Sequence, residues 1–224
     1  MWKRQTRLIA VLVSIFLAAC VNTTRPVRET LREEDWNEYV VYRIDDHRYI
    51  SIRSPQTCDG HIDGNIYYND TRSGVRTLVS FTGSAANGLY RGYYAINASS
   101  SYIAIPALAF SQTRGMLLRI YYSYDGGKKF QWFLVGEESA NVAIIVDEKK
   151  LYLTPANLRG GTSYSGESGV AFDISKDMDW RIARYSAESS AFDAYAKTVH
   201  GIPRDIRSPS GLTHWHCPSI STDK

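Results

Sequence analysis

The chain has almost no charge excess: 26 Lys and Arg stand against 23 Asp and Glu, a formal net charge of +3. Lys3, Arg4 and Arg7 account for that surplus, so the remainder is near neutral. This excludes the basic footprint of a nucleic-acid binder. No run of about 20 apolar residues is present, which excludes a comfortable transmembrane helix. A nucleophile elbow of the G-x-S-x-G kind is also missing. The nearest string, Gly166-Glu167-Ser168-Gly169, has the wrong spacing and falls in a Gly/Ser-rich loop. His200, His214 and His216 supply imidazoles, but no serine stands at a strand-to-helix elbow, and we assign no catalytic residue. A zinc site wants three or four ligands. Only His214-Trp215-His216-Cys217 gathers ligand types, with His61 or Asp59 beside Cys58 as the nearest additions, and the set is incomplete. We assign no metal and no cofactor, and read the chain as a non-enzyme.

The N-terminus carries an ordered secretory signal. Basic residues come first, then the apolar stretch Leu8 to Phe16, then Leu17-Ala18-Ala19-Cys20. A cysteine directly after small residues looks like the lipobox of bacterial lipoproteins. That resemblance implies a signal peptide over 1–19, cleavage before Cys20, and lipid (palmitate among its acyl chains) on the thiol and new amino group. Each buried methylene of such a chain contributes about 0.8 kcal/mol, and two or more chains anchor stably. The mature protein would then be held at a membrane of the cell envelope, facing the periplasm. Val21 rather than aspartate follows the cysteine, which in that class leans towards the outer membrane over the inner. With Cys20 taken by lipid, Cys58 and Cys217 remain in an oxidising compartment. We expect a disulfide between them, tying the start of the domain to its end.

About 200 mature residues suffice for one core, and we expect a single domain over 39–224 after a polar tether, 20–38, with a short helical turn near Glu29–Glu34. From Tyr39 the apolar period becomes two. Strands are predicted at Tyr39–Ile44, Arg48–Ile52, Asn65–Tyr68, Val75–Phe81, Gly92–Ile96, Tyr102–Ile105, Leu117–Tyr122, Phe130–Val135, Asn141–Val146 and Leu151–Thr154. Turn clusters separate them. A Gly/Ser-rich loop fills Pro155 to Gly169. Ser186 to Gly201 reads as a helix, about 187–200, with Ala187, Ala191, Tyr195 and Val199 at four-residue spacing. The fold class is therefore mainly β: an antiparallel β-sandwich or a partial propeller-like sheet, with one C-terminal α-helix. Sixteen tyrosines, seven phenylalanines and five tryptophans suit strands and aromatic contact surfaces.

Ser123-Tyr124-Asp125-Gly126-Gly127-Lys128-Lys129-Phe130 matches the Asp-box pattern S-x-D-x-G-x-x-[WF]. We read Ser123, Asp125, Gly127 and Phe130 as a structural hairpin, its aspartate accepting backbone hydrogen bonds and its glycine taking a positive φ. One copy is clear, and a six-bladed sialidase propeller needs far more chain at about 40–50 residues per blade. Asp45-Asp46-His47 lies between two alternating segments and reads as a turn rather than an acid–base group.

Tyr42-Arg43-Ile44-Asp45-Asp46-His47-Arg48-Tyr49-Ile50 is a distinctive string, followed in order by Cys58-Asp59-Gly60, Tyr67-Tyr68-Asn69-Asp70 and Gly74-Val75-Arg76-Thr77. Tyr102-Ile103-Ala104-Ile105-Pro106 and Tyr122 to Gly127 complete the series. Together these resemble the type 3 lipase-immunity family, whose members neutralise type VI secretion phospholipase effectors; the resemblance covers about Val41 to Thr154. It implies a periplasmic immunity lipoprotein that binds a cognate phospholipase effector and occludes it stoichiometrically. Loops usually carry such contacts. The candidates are Gly88-Leu89-Tyr90-Arg91 and the Gly160–Gly169 loop, with Tyr90, Arg91 and Tyr164 as partner-binding residues. The alternative is an envelope lipoprotein binding glycan or peptidoglycan through its β-domain.

Overall fold

The alternating segments become strands of three sheets in a computed structural model, which describes residues 32–82, 87–97, 101–113, 115–137, 141–156, 163–178 and 195–218. Two units divide the chain, Met1–Arg32 and Glu33–Lys224, and the β-structure lies in the second. The signal segment, Cys20 and the tether up to residue 31 lie outside the described residues. At the tether's end Glu33–Asp35 form a single 3-10 turn.

The first sheet is an antiparallel meander of β1 (Asn37–Arg43), β2 (Arg48–Ser54), β3 (Asn65–Asp70) and β4 (Val75–Ser80). The second joins β5 (Tyr94–Ile96), β9 (Val142–Asp147), β10 (Lys150–Pro155), β11 (Ser168–Asp173) and β12 (Lys197–His200) in the order β12-β11-β10-β9-β5. The third is the antiparallel run β6 (Ile103–Ser111), β7 (Gly115–Ser123) and β8 (Gln131–Glu137). The mainly-β expectation holds, with three corrections. The sheets number three among the described residues, not the two of a sandwich. They are not wholly antiparallel, because β5 runs parallel to β9. Lys197–His200, expected as the end of a helix, is β12, paired with β11 through Ala171↔Lys197 and Gly169↔Val199. Thr198 and Val199 are β-branched and suit a pleated edge; the partner strand overrides the four-residue spacing. Residues 187–194 lie outside the described ones, and no α-helix occurs among those that are described.

One core cluster draws on all three sheets. It includes Ile50, Ile52 and Ile66 from the first, Leu118, Ile120 and Phe133 from the third, and Ile144, Val146 and Phe172 from the second. Burying such a side chain stabilises by about 1.5–3 kcal/mol each, so this cluster is the main source of cohesion. The second sheet is covered on both faces near β5 and β9: Ala143, Ile145 and Tyr152 belong to a separate cluster with Tyr93, Tyr164 and Ile202. That explains the uninterrupted apolar run Val142 to Val146, a pattern typical of strands buried on both sides. A register shift between Val40 and Tyr42 breaks the alternation of β1. Val41 and Tyr42 are consequently both buried, the result expected of a bulge.

Tyrosine, read as strand former and contact-surface residue, is largely core. Tyr42, Tyr68, Tyr93, Tyr94 and Tyr122 are among the largest fully buried side chains. Tyr94 is ringed edge-on by Tyr42 at 4.7 Å, Trp215 at 5.7 Å and Tyr90 at 6.5 Å. The hydroxyls of Tyr42, Tyr93, Tyr94 and Tyr122 find partners, as buried phenols require, while that of Tyr68 is left without one among the described residues. Tyr94 donates to Ala104 O at 2.6 Å, and Tyr122 accepts from Met178 N at 3.0 Å. Burial pushes the Tyr122 phenol up to about 12.

Candidate functional site

The string Tyr42 to Ile50 folds as the β1–β2 turn. Asp45 Oδ1 accepts from the backbone N–H of His47 at 3.0 Å and of Arg48 at 2.7 Å. Its Oδ2 accepts from Arg48 Nε at 2.7 Å. Arg48 is only 2% exposed, so its charge is neutralised locally by Asp45. His47 Nδ1 stands 3.1 Å from the same carboxylate. Asp45 thus serves the turn, as the sequence reading expected, while Asp46 beside it is exposed.

The β7–β8 connection is equally self-contained. Ser123 Oγ donates to Asp125 Oδ1 at 2.8 Å and accepts from Gly127 N at 2.9 Å. Asp125 Oδ1 also accepts from Lys128 N and Lys129 N at 3.0 and 3.1 Å. Gly127 has φ +84°, and a Cβ there would come 2.1 Å from the Tyr68 ring; no side chain fits. Phe130 packs against that same ring. The turn is fixed to its surroundings by Thr77 Oγ1, which donates to Gly127 O at 2.6 Å, and by Gly126 N, which donates to Ser101 O. This loop thus joins the third sheet to the first. We expect Asp125→Ala to cost about 1 kcal/mol, by orphaning two N–H groups that water partly recovers. Urea denaturation checks it.

Asp45, Asp125 and Glu38 share an electrostatic signature. In each, burial is the largest influence and raises the pKa, but bonds to the ionised form outweigh it. Arg48 and two backbone N–H groups act on Asp45; Lys129 N, Ser123 and Lys128 N act on Asp125; Arg76 and Ser51 act on Glu38. All three lie below their usual values. A carboxyl depressed on folding contributes stability that is complete above its unfolded pKa and is lost as pH falls through the folded one. The melting temperature should be flat from about pH 8 to 5 and fall below about pH 4. Asp45→Asn should shallow that acid-side fall in thermal melts.

The loop residues expected at a partner surface divide. Tyr90 is 6% exposed and its hydroxyl donates to Val142 O at 2.6 Å. Tyr164 is 8% exposed, donates to Pro203 O and accepts from Ile206 N. Both rings are buried and hold the fold together, which leaves each little surface to offer a partner. Arg91 alone reaches the surface, its Nη2 3.1 Å from His61 Nε2.

The C-terminal segment runs unladdered between β1 and β5, through Tyr94 N to Thr213 O and His216 N to Val41 O. Trp215 is buried, while His216 is exposed. No group of three or more metal-ligand side chains gathers among the described residues. Cys217 is bonded to Cys58, with Cα atoms 5.5 Å apart.

Among the described residues, a face of the second sheet remains open. The β10–β11 and β11–β12 registers place Tyr152 beside Ala171 and Ala171 beside Lys197, with Lys150 opposite Asp173. Period two puts Lys150, Tyr152, Ala171, Asp173, Lys197 and Val199 on one face. They line a groove of about 630 Å³. The sequence reading missed it because β11 and β12 were not read as strands.

The family model described as "T6SS Tli3 immunity protein" matches residues 34–155, more than half of the chain and all of β1 to β10. No curated protein matches the chain.

Proposed function

The chain belongs to the Tli3 family of type VI secretion immunity proteins, and from that premise we propose that it is a periplasmic lipoprotein, anchored through Cys20 with a lean to the outer membrane, that neutralises a phospholipase effector. The match from residue 34 to 155 carries the reading. Its mechanism is stoichiometric binding that occludes the lipase, without turnover. The self-contained turns at Asp45 and Asp125 support this, because the most distinctive polar strings serve the fold. The glycan-binding alternative drew on aromatic content and the hairpin at Asp125. The burial of Tyr42, Tyr68, Tyr93, Tyr94 and Tyr122 removes much of that motive.

The test co-expresses the full-length chain with each type VI effector of its own strain, directed to the periplasm. One effector should lose its toxicity. Its phospholipase activity, titrated with the detergent-extracted immunity protein, should reach zero near a 1:1 ratio. Complete inhibition at a small fraction of one equivalent would point to turnover and overturn the mechanism. Protection against none would overturn the reading itself.

A further inference from the structure

We propose that the lysine-rimmed groove on β10–β12 receives an acidic segment of the effector, one that carries apolar side chains between its carboxylates. This rests on the immunity reading above. The floor is apolar, formed by Tyr152, Ala171, Val199 and Ile202. The rim is cationic, formed by Lys149, Lys150, Lys176 and Lys197, all exposed. Asp173 is the one carboxylate among the described lining residues, and it is already engaged. Its Oδ1 accepts from Ser175 N at 3.0 Å and from Ser175 Oγ. These bonds first, then the charges of Lys149 and Lys176, hold its pKa below the usual carboxylate range. It stays ionised, one carboxylate against four lysines among the described lining residues.

The neighbouring carboxylates Asp147 and Asp177 are engaged by neutral donors and not by these lysines. Asp147 accepts from Asn97 Nδ2 at 2.6 Å and Asp177 from Tyr124 OH at 2.9 Å. No ion pair joins any of the four lysines to another described residue. In a chain of balanced composition, four ammonium groups around one concavity form a local field that attracts negative charge. An apolar floor beneath them asks for more than charge. An extended peptide meets both demands, setting apolar side chains down between acidic ones, with desolvated anchors at the centre and charges at the rim. A planar array of lipid headgroups would satisfy the lysines and leave the floor uncovered. Most of the groove also lies beyond residue 155, so it is shaped by a part of this chain outside the family stretch. It can therefore discriminate one effector from another.

The experiment uses the effector whose toxicity the full-length chain relieves. Its affinity is measured for the wild-type protein, for K150E/K197E, and for K128E/K129E, which makes the same charge change on the β7–β8 loop. Thermal melts confirm that each variant is folded. The groove variant should bind at least about 100-fold more weakly and lose most of the salt dependence. The loop variant should stay within about threefold. Lys150→Gln with Lys197→Gln should fall between. Equal affinity of the groove variant and the wild type would overturn the groove and leave the immunity reading standing. Absence of any wild-type binding would overturn both. A groove variant that binds the effector normally, but no longer binds phosphatidylglycerol–phosphatidylethanolamine vesicles that hold the wild type, would overturn it in favour of a membrane-facing patch.

Discussion

Replacing Cys58 and Cys217 together by serine is expected to lower stability by about 2–5 kcal/mol and the melting temperature by about 10 °C. The bridge spans a sequence separation of 159 residues, nearly the whole β-unit. In the chain-entropy treatment a closed loop of that size removes about 5 kcal/mol of freedom from the unfolded chain. The folded state loses less. The C-terminal segment stays in place through Tyr94 N to Thr213 O, His216 N to Val41 O and Ser210 N to Ile44 O. The effect therefore belongs mostly to the unfolded ensemble. That gives the measurement a second readout: urea unfolding of the double variant should show a lower midpoint and a steeper slope, because the opened chain exposes more surface. A midpoint and slope equal to wild type would mean that the two thiols are not joined in the protein as isolated. The same pair has a consequence for activity. An immunity protein waiting for an incoming effector must persist unfed by new synthesis, and the bridge makes global unfolding rarer.

Most of this architecture was legible because the strands β1 to β10 are bounded by turn residues whose chemistry is local. Asp45, Asp125 and Gly127 each satisfy or permit a turn within a few residues of themselves, so their role needs no tertiary knowledge. What failed was whatever depended on a distant partner. Ser168-Gly169 looked like the end of a loop, although Val170 and Phe172 already alternate; the core that takes Phe172 comes from strands far away in sequence. Lys197–His200 is strand because β11 offers it an edge. Tyr90 and Tyr164 stand in loops by sequence but bury their rings against Tyr94 and Tyr93, a packing that loop position does not reveal. The lysine groove combines both difficulties. Lys149 and Lys150 are contiguous in sequence, but Lys197 joins them only through the register Tyr152↔Ala171↔Lys197. The distinctive sequence strings of this chain therefore mark the scaffold, while its lysine-rimmed concavity is assembled across strands that no single segment reveals.

Tyr42→Ala is expected to cost about 3–5 kcal/mol or more, enough to leave much of the protein unfolded at 37 °C, and Tyr42→Phe about 1–3 kcal/mol. The two variants separate the ring from its hydroxyl. The ring is 1% exposed and packs edge-on against Tyr94 with centroids 4.7 Å apart; truncation leaves a cavity where the first and second sheets meet. The hydroxyl is a junction of three segments. It lies 3.0 Å from Tyr94 O, 2.8 Å from Leu212 O and 2.7 Å from Ser208 Oγ. Ser208 Oγ in turn accepts from Ile96 N at 2.8 Å. A single phenol therefore links β1, β5 and the C-terminal segment, in a place where burial holds its pKa far above the usual phenol range. Phenylalanine keeps the ring and leaves the Leu212 carbonyl and Ser208 hydroxyl short of a partner. The loss should concentrate where those groups lie. Hydrogen exchange of Tyr42→Phe should accelerate at Ile96 N and along Ser208–Leu212, with β7 and β8 unchanged. Uniform acceleration across all three sheets would show that the hydroxyl supports the whole core and not this junction. That outcome would move the C-terminal segment, and the groove residues leading into it, from a pinned appendage to an integral layer of the fold.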